Sequence, residues 1–229
     1  MANQTVISSE FRFVPSEQDR ALVDLQATTN ENGRFYKTPE GKKYPSVTTV
    51  IGYAKNAFFA EWREKNPKES RRTLSRGDAL HARVENYLRG ESPIKYNEMS
   101  LDGLNLFMTM KPQLSKINNI RLLEAPLYSD ALGLAGRVDC IAEYNGVPSI
   151  IDFKGSTRKK CREDIENYFL QATAYAYMYE ERTGHRITQI VILMACEDGT
   201  VDTWVDDRNK YKSQLKQRIL DYRQHITGQ

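Results

Sequence analysis

The feature that most constrains this chain is the dipeptide Asn145-Gly146, set between two runs of alternating apolar residues. A two-residue type I′ turn needs positive φ at both central positions, and Asn-Gly meets that need at least cost. A β-hairpin is therefore expected, with Tyr144 facing Val147. Counting outward puts Asp139 opposite Asp152 and Arg137 opposite Lys154. The turn pair is hydrogen-bonded and pair types alternate, so Asp139 and Asp152 fall on a non-hydrogen-bonded rung with Cα atoms roughly 4.5 Å apart. Pro148 also falls on such a rung, where its missing N–H does little harm. Like charges so opposed repel. Val138, Ile141, Ile150, Ile151 and Phe153 surround them, and burial raises the cost of each charge. Two arrangements offset that cost. One is a purely structural ion cluster, Asp139 with Arg137 and Asp152 with Lys154. The other is a divalent cation held by the carboxylates, for which magnesium or manganese suits the hard oxygen donors. The apolar setting argues against the first, because buried ion clusters are costly to retain. In the second, Lys154 points to the same face as Asp152 and sets a positive charge beside the cation. Such a site suits phosphodiester hydrolysis: the metal polarises the phosphoryl oxygen and activates a water. The lysine orients that water or stabilises charge growing on the phosphate.

The rest of the chain gives this hairpin a setting. Ile120 to Tyr128, Leu134 to Tyr144 and Val147 to Lys154 read as three strands. A helix precedes them from about Ser100 to Ile117, and another follows from about Arg162 to Arg182, stopped by Gly184. Ile187 to Ala195 is a nearly continuous apolar run, as expected of a strand covered on both faces. Thr200 to Val205 reads as a last strand and a basic helix closes the chain. Upstream, Phe11 to Val14 and Arg34 to Lys37 read as short strands. Ser46 caps a short helix, a second helix carries Phe58, Phe59 and Trp62, and Pro67 ends or restarts it. A third runs from about Lys68, with Leu80, Val84 and Leu88 on one face. The fold class expected is α/β: a core of helix, three strands, helix and strand, with an added helical N-terminal region. The 229 residues are expected to form one domain. Residues 1–100 form a hairpin and helical wall, 101–205 the α/β core, and 206–229 a C-terminal helix.

Composition narrows the function classes. A net charge of +3 permits nucleic-acid binding without arguing for it. Three unpatterned cysteines do not make a disulfide framework or a zinc site. There is no run long enough to cross a bilayer, and the first residues lack the charged and apolar regions of a secretory signal. A cytoplasmic location, bacterial or in a phage-infected host, is expected, with no membrane partner.

Asp139 followed by Asp152-Phe153-Lys154 on the next strand resembles the D…(D/E)xK signature of the PD-(D/E)XK nucleases. The RecB-type branch is the nearest, through Gly136-Arg137-Val138-Asp139, the stretch Ile150 to Ser156, the pair Gln171 and Tyr175, and Arg76-Gly77-Asp78-Ala79-Leu80-His81. Mitochondrial genome maintenance exonucleases and related phage exonucleases are similar over roughly Pro45 to Gly199. Valine stands where the family name has proline, and the second acid is aspartate. The resemblance implies that Asp139, Asp152 and Lys154 are catalytic. It also implies that His81, Asp139, Asp152 and the Phe153 carbonyl bind Mg2+ or Mn2+, and that Glu124 is a site-adjacent acid. The iron–sulfur cysteines of some relatives are missing, so no cluster is expected.

Other residues are candidate DNA contacts. Gln171 and Tyr175 share a helix face and either touch DNA or brace the site. The run Tyr168, Tyr175, Tyr177 and Tyr179 can stack on bases or pack the core. Ser156 and Thr157, in front of Arg158-Lys159-Lys160, are placed to touch phosphates, as are Arg76 and Arg137. Ser46 and Thr48 could meet a phosphate at a helix N-terminus or simply cap it. The leading expectation is a metal-dependent exonuclease acting on DNA ends, single-stranded or frayed, in replication, recombination or repair. A recombination or single-strand-binding protein is a candidate partner. The alternatives are a flap or junction endonuclease and a non-catalytic DNA-binding recombination module.

Overall fold

A computed structural model describes residues 11–91 and 100–228. The expected division at residue 100 therefore includes stretches, 1–10 and 92–99, that lie outside the described residues. The chain opens with a one-turn helix, α1 (Glu17–Arg20), closed by a reciprocal capping box between Ser16 and Asp19. Three short strands follow, β1 (Gln26–Asn30), β2 (Gly33–Lys37) and β3 (Lys43–Pro45), paired antiparallel in that order. The sequence pattern showed only the second. The others are polar and mostly exposed, so they carry no apolar alternation to read. Phe11 to Val14, expected as a strand, forms one parallel bridge from Phe13 to Ile120.

Next come α2 (Val47–Gly52), α3 (Asn56–Lys65) and the long α4 (Pro67–Leu88). Ser46 caps α2 through Thr49 N–H at 3.0 Å, and Pro67 starts α4, where its missing N–H costs no helical bond. After α5 (Leu101–Leu114) come β4 (Ile117–Ser129), β5 (Leu134–Tyr144), β6 (Val147–Ser156), α6 (Glu166–Thr183), β7 (Gln189–Cys196), β8 (Val201–Asp207) and α7 (Lys212–Thr227). Gly184 ends α6 in the left-handed conformation at φ 73°. The five strands β4 to β8 form one sheet in sequence order, antiparallel except that β6 and β7 run parallel, joined by the α6 crossover.

The sheet is covered on both faces, as the unbroken apolar run of β7 requires. On one face Ile150, Ile190, Ile192 and Met194 pack with α2, α6 and α7. On the other Cys140, Ile151, Phe153, Val191 and Leu193 pack with α4 and α5. Thus α4 and α6 lie on opposite faces of the strand pair β5–β6.

Candidate active site

The Asn145-Gly146 turn forms as its sequence dictates, with φ of 51° and 78°. It sets the pairing of Tyr144 with Val147 through to Cys140 with Ile151. There the hairpin ladder stops. The rungs Asp139/Asp152 and Arg137/Lys154, expected from the turn, are not formed. Extended by two residues, the ladder would have engaged the Phe153 N–H with Val138. Instead that N–H donates to Asp139 Oδ2 at 2.8 Å. A side-chain acceptor has replaced a backbone one, so the strands separate without leaving the donor unsatisfied.

A second irregularity lies on the other side of β5. Asp139 neighbours Glu124 of β4, and that rung is also missing, although Leu123/Cys140 and Ala125/Val138 on either side keep the same register. Glu124 has φ 47°, a left-handed conformation uncommon for a residue with a side chain. Alternation resets at this point. Leu123 and Cys140 face the α4–α5 layer, while Ala125 and Val138, two residues away, face the α2–α6–α7 layer. Ordinary strands keep residues two apart on one face. This break turns the Glu124 and Asp139 side chains towards His81 of α4. His81 Nδ1 lies 3.4 Å from Glu124 Oε1 and 3.7 Å from Asp139 Oδ2. One ligand atom from each of the three lies within 4.8 Å of the others, as a shared cation would require. Burial lowers the His81 pKa, but Asp139 and Glu124 outweigh it and raise it to about 9.

Asp152 and Lys154 form the second half of the site. Asp152 is 1% exposed and accepts from Lys154 Nζ through Oδ1 at 2.8 Å. Its Oδ2 is buried, close to the same ammonium but without a hydrogen bond to it. The partners do not respond symmetrically. Burial opposes the Lys154 charge, but Asp152 and Asp139 outweigh it and hold the ammonium well above its usual range. Asp152 also rises, because burial and Asp139 together exceed the help from Lys154. The ammonium lies 2.8 Å from each carboxylate oxygen, but only Oδ1 accepts a hydrogen bond from it. The donors that converge on one point are those of His81, Glu124 and Asp139, an imidazole nitrogen and carboxylate oxygens that suit a divalent cation. Asp152, expected among the ligands, is not one of that group.

Tyr168 and Lys160 join this half. Lys154 Nζ stands 5.1 Å from the Tyr168 ring centre, and Lys160 Nζ lies over the same ring and donates to its hydroxyl at 3.0 Å. The sequence puts Gln171 and Tyr175 on one helix face and leaves the tyrosine run to core packing or base stacking; a lysine partner for Tyr168 is not among those readings. Tyr175 is buried with Gln171 beside it. A Cβ on Gly136 would come within 2.7 Å of the Tyr175 hydroxyl, so glycine lets α6 approach β5 there.

The remaining candidates are spread more widely. Arg76 is buried and paired with Glu197. Arg137 donates to the Glu124 carbonyl and, at 3.0 Å, to Asp24. Ser156 is buried and bonds the Arg158 carbonyl at 2.7 Å, while Thr157 is exposed. Ser46 is buried in its capping bonds, and Thr48 is exposed beside it.

Comparison with known proteins bears on this arrangement. Residues 34–227 match the family model described as the PD-(D/E)XK nuclease superfamily. Human mitochondrial genome maintenance exonuclease 1 is 26% identical over 174 residues, 68% of this chain and 50% of that protein. The mouse protein of the same name is 25% identical over 173 residues, 68% of this chain and 51% of that one. The chain thus spans about half the length of these relatives. A solved protein of Eubacterium rectale, provisionally assigned as an exonuclease, aligns with TM-score 0.45 and 12% identity over 69% of this chain and 68% of that one.

Proposed function

The chain belongs to the PD-(D/E)XK nuclease superfamily, and on that premise we propose that it is a divalent-metal-dependent DNA exonuclease hydrolysing phosphodiester bonds from single-stranded or frayed ends. The observation that carries this reading is the meeting of His81, Glu124 and Asp139 beside the buried Asp152–Lys154 pair. His81, Asp139, Asp152 and the Phe153 carbonyl would hold Mg2+ or Mn2+, with Glu124 completing the acidic wall. The ion, when bound, polarises the phosphoryl oxygen and activates a water. Asp152 and Asp139 hold the Lys154 ammonium above its usual range without metal, and its proposed role is to orient the water and stabilise phosphate charge. Asp152 fixes that ammonium, Tyr168 flanks it, and Tyr175 with Gln171 braces the sheet behind it. Ser156, Thr157, Arg76, Arg137, Ser46 and Thr48 are proposed to meet the DNA backbone, for which Arg76 would have to leave Glu197.

No helix among the described residues is long and apolar enough to cross a membrane. A single nuclease unit acting in a cytoplasm, in replication, recombination or repair, belongs to the same proposal. So does a single-strand-binding or recombination protein as partner. End-labelled linear DNA and closed circles, single- and double-stranded, incubated with and without Mg2+, test the reading. Metal-dependent loss of linear DNA with survival of circles supports it. Cutting of circles would replace it with a flap or junction endonuclease. Binding without cleavage would replace it with a non-catalytic recombination module.

A further inference from the structure

Helix α3 is ten residues long, carries Phe58, Phe59 and Trp62, and buries none of its residues. Phe58 is 64% exposed and Phe59 44% exposed, and their rings meet edge to face with centres 5.4 Å apart. An amphipathic helix normally buries its apolar side, so this one presents its aromatic side to something else. Between it and the start of α4 lies a cleft of about 360 Å³, lined by Phe58, Phe59, Trp62, Arg63, Thr73 and Leu74.

The position of the cleft on α4 identifies the occupant. Leu74 and His81 are seven residues apart, so they lie on one helix face, separated by about 10.5 Å of rise. Gly77 falls between them on that face. It stands inside a helix, where glycine costs roughly 1 kcal/mol relative to alanine, and a Cβ there would meet nothing within 4 Å. Neither packing nor backbone conformation demands the glycine, and its lack of a side chain leaves open space on the face between the aromatic cleft and His81, with Asp78 at its side. The charge matches a polyanion. From Lys55 to Leu74 there are six Lys and Arg against three Glu; Lys65 pairs with Glu61, and Arg72 is engaged by Asp102 at 2.7 Å and Glu197 at 3.2 Å.

We propose that this cleft is a base-stacking site for single-stranded DNA, holding an unpaired base roughly three stacked bases, at 3.4 Å each, from the phosphate at the metal site. Phe58, Phe59 and Trp62 supply the faces, and Arg63 the positive charge beside them. The inference rests on the nuclease reading but is tested by binding as well as cleavage. In the full chain carrying Trp204→Phe, Trp62 is the single tryptophan, and its emission reports directly on the cleft. Without metal, oligo-dT of eight nucleotides should quench Trp62, whereas dT of two nucleotides, seated at the metal end, should not.

Phe58→Ala with Phe59→Ala should weaken eight-nucleotide binding about ten-fold. In Mg2+ the same variant should raise KM for that oligonucleotide about ten-fold at unchanged kcat, and leave two-nucleotide binding as it was. No quenching, or equal affinity in the double variant, overturns the proposal. So does a concentration-dependent dimer of the parent chain that the double variant abolishes, which would make the face a contact between copies. Failure of the nuclease reading is seen separately, as no cleavage of any oligonucleotide by the parent chain.

Discussion

At the Tyr144 end of β5 each residue faces the partner that the turn assigns to it, from Tyr144/Val147 to Cys140/Ile151. At the Asp139 end the strand leaves β6, loses its rung with β4, and gives the carboxylate of Asp139 to the Phe153 N–H. The Tyr144 end is regular only towards β6, since β4 shifts register beside it between Asn118 and Leu122. Both ends contain non-glycine residues at positive φ, Asn145 at 51° and Asn119 at 45° at one and Glu124 at 47° at the other. Asparagine adopts that conformation readily in a turn. A glutamate inside a sheet does not, and strain of this kind persists only where surrounding structure enforces it. The regular end makes the hairpin; the broken end points three side chains from distant parts of the chain at one spot.

The comparison breaks most sharply at Asp152. Asp152→Asn should reduce Mg2+-dependent cleavage by on the order of 10³-fold or more, with the circular dichroism of a folded chain. Lys154 is then a half-buried cation left with only Asp139 to offset it, so stability should fall by about 2 kcal/mol. Adding Lys154→Met should recover most of that loss while activity stays absent. If Asp152→Asn keeps parental activity, the broken end of β5 is not the catalytic centre.

Glu124→Gly sharpens the contrast at the strained residue itself. Glycine takes positive φ freely, so relief of the left-handed conformation is worth about 1 kcal/mol, measured by urea unfolding without metal. Metal affinity, followed by calorimetry, should weaken about ten-fold as one acid leaves the His81 cluster. A variant that is both less stable and equally tight for metal would mean that the break in β4 serves packing, not the site.

These two ends also differ in how far sequence reaches. The turn and its five rungs follow from Asn145-Gly146, because twist and φ are local demands. So do the buried β7 and the α6 crossover, through apolar run length and Gly184. The break at Asp139 is not local. It involves Glu124 on the neighbouring strand and His81 of α4, far earlier in the chain, and a repeating two-residue pattern has no term for a rung that resets. His81 was reachable only by resemblance to a family, and β1 and β3 only by seeing them paired. The aromatic α3 was legible as a helix but not as an exposed one, since nothing in its pattern says which neighbour is missing.

A weaker effect should appear in pH. Asp152 titrates above its ordinary value in the folded chain, chiefly through burial. His81 is raised from 6.5 to about 9, where burial is outweighed by Asp139 and Glu124. Both groups bind protons more tightly folded than unfolded, so stability falls as pH rises wherever they release them. For His81 the contribution is full below its unfolded pKa of 6.5 and is lost as pH passes about 9. Metal-free Tm should therefore decline from mildly acidic to alkaline pH. Saturating Mg2+ should flatten that decline, because the bound cation takes the place of the protons. An equal slope with and without Mg2+ would separate these groups from the metal.

The smallest effect on activity should come from the regular end. Gly146 has φ 78°, and a Cβ there would meet nothing within 4 Å. Gly146→Val therefore tests backbone conformation alone, at a cost of about 1–2 kcal/mol in urea unfolding. Because Tyr144/Val147 to Cys140/Ile151 still fix the register, and Asp139 is held by the Phe153 N–H rather than by a rung, kcat/KM of the folded fraction should stay within about two-fold, on the rule that effects at distant sites without shared partners are independent. A large loss of kcat/KM at full folding would mean that the turn transmits register to the site after all. The two ends of β5 would then be one device rather than two.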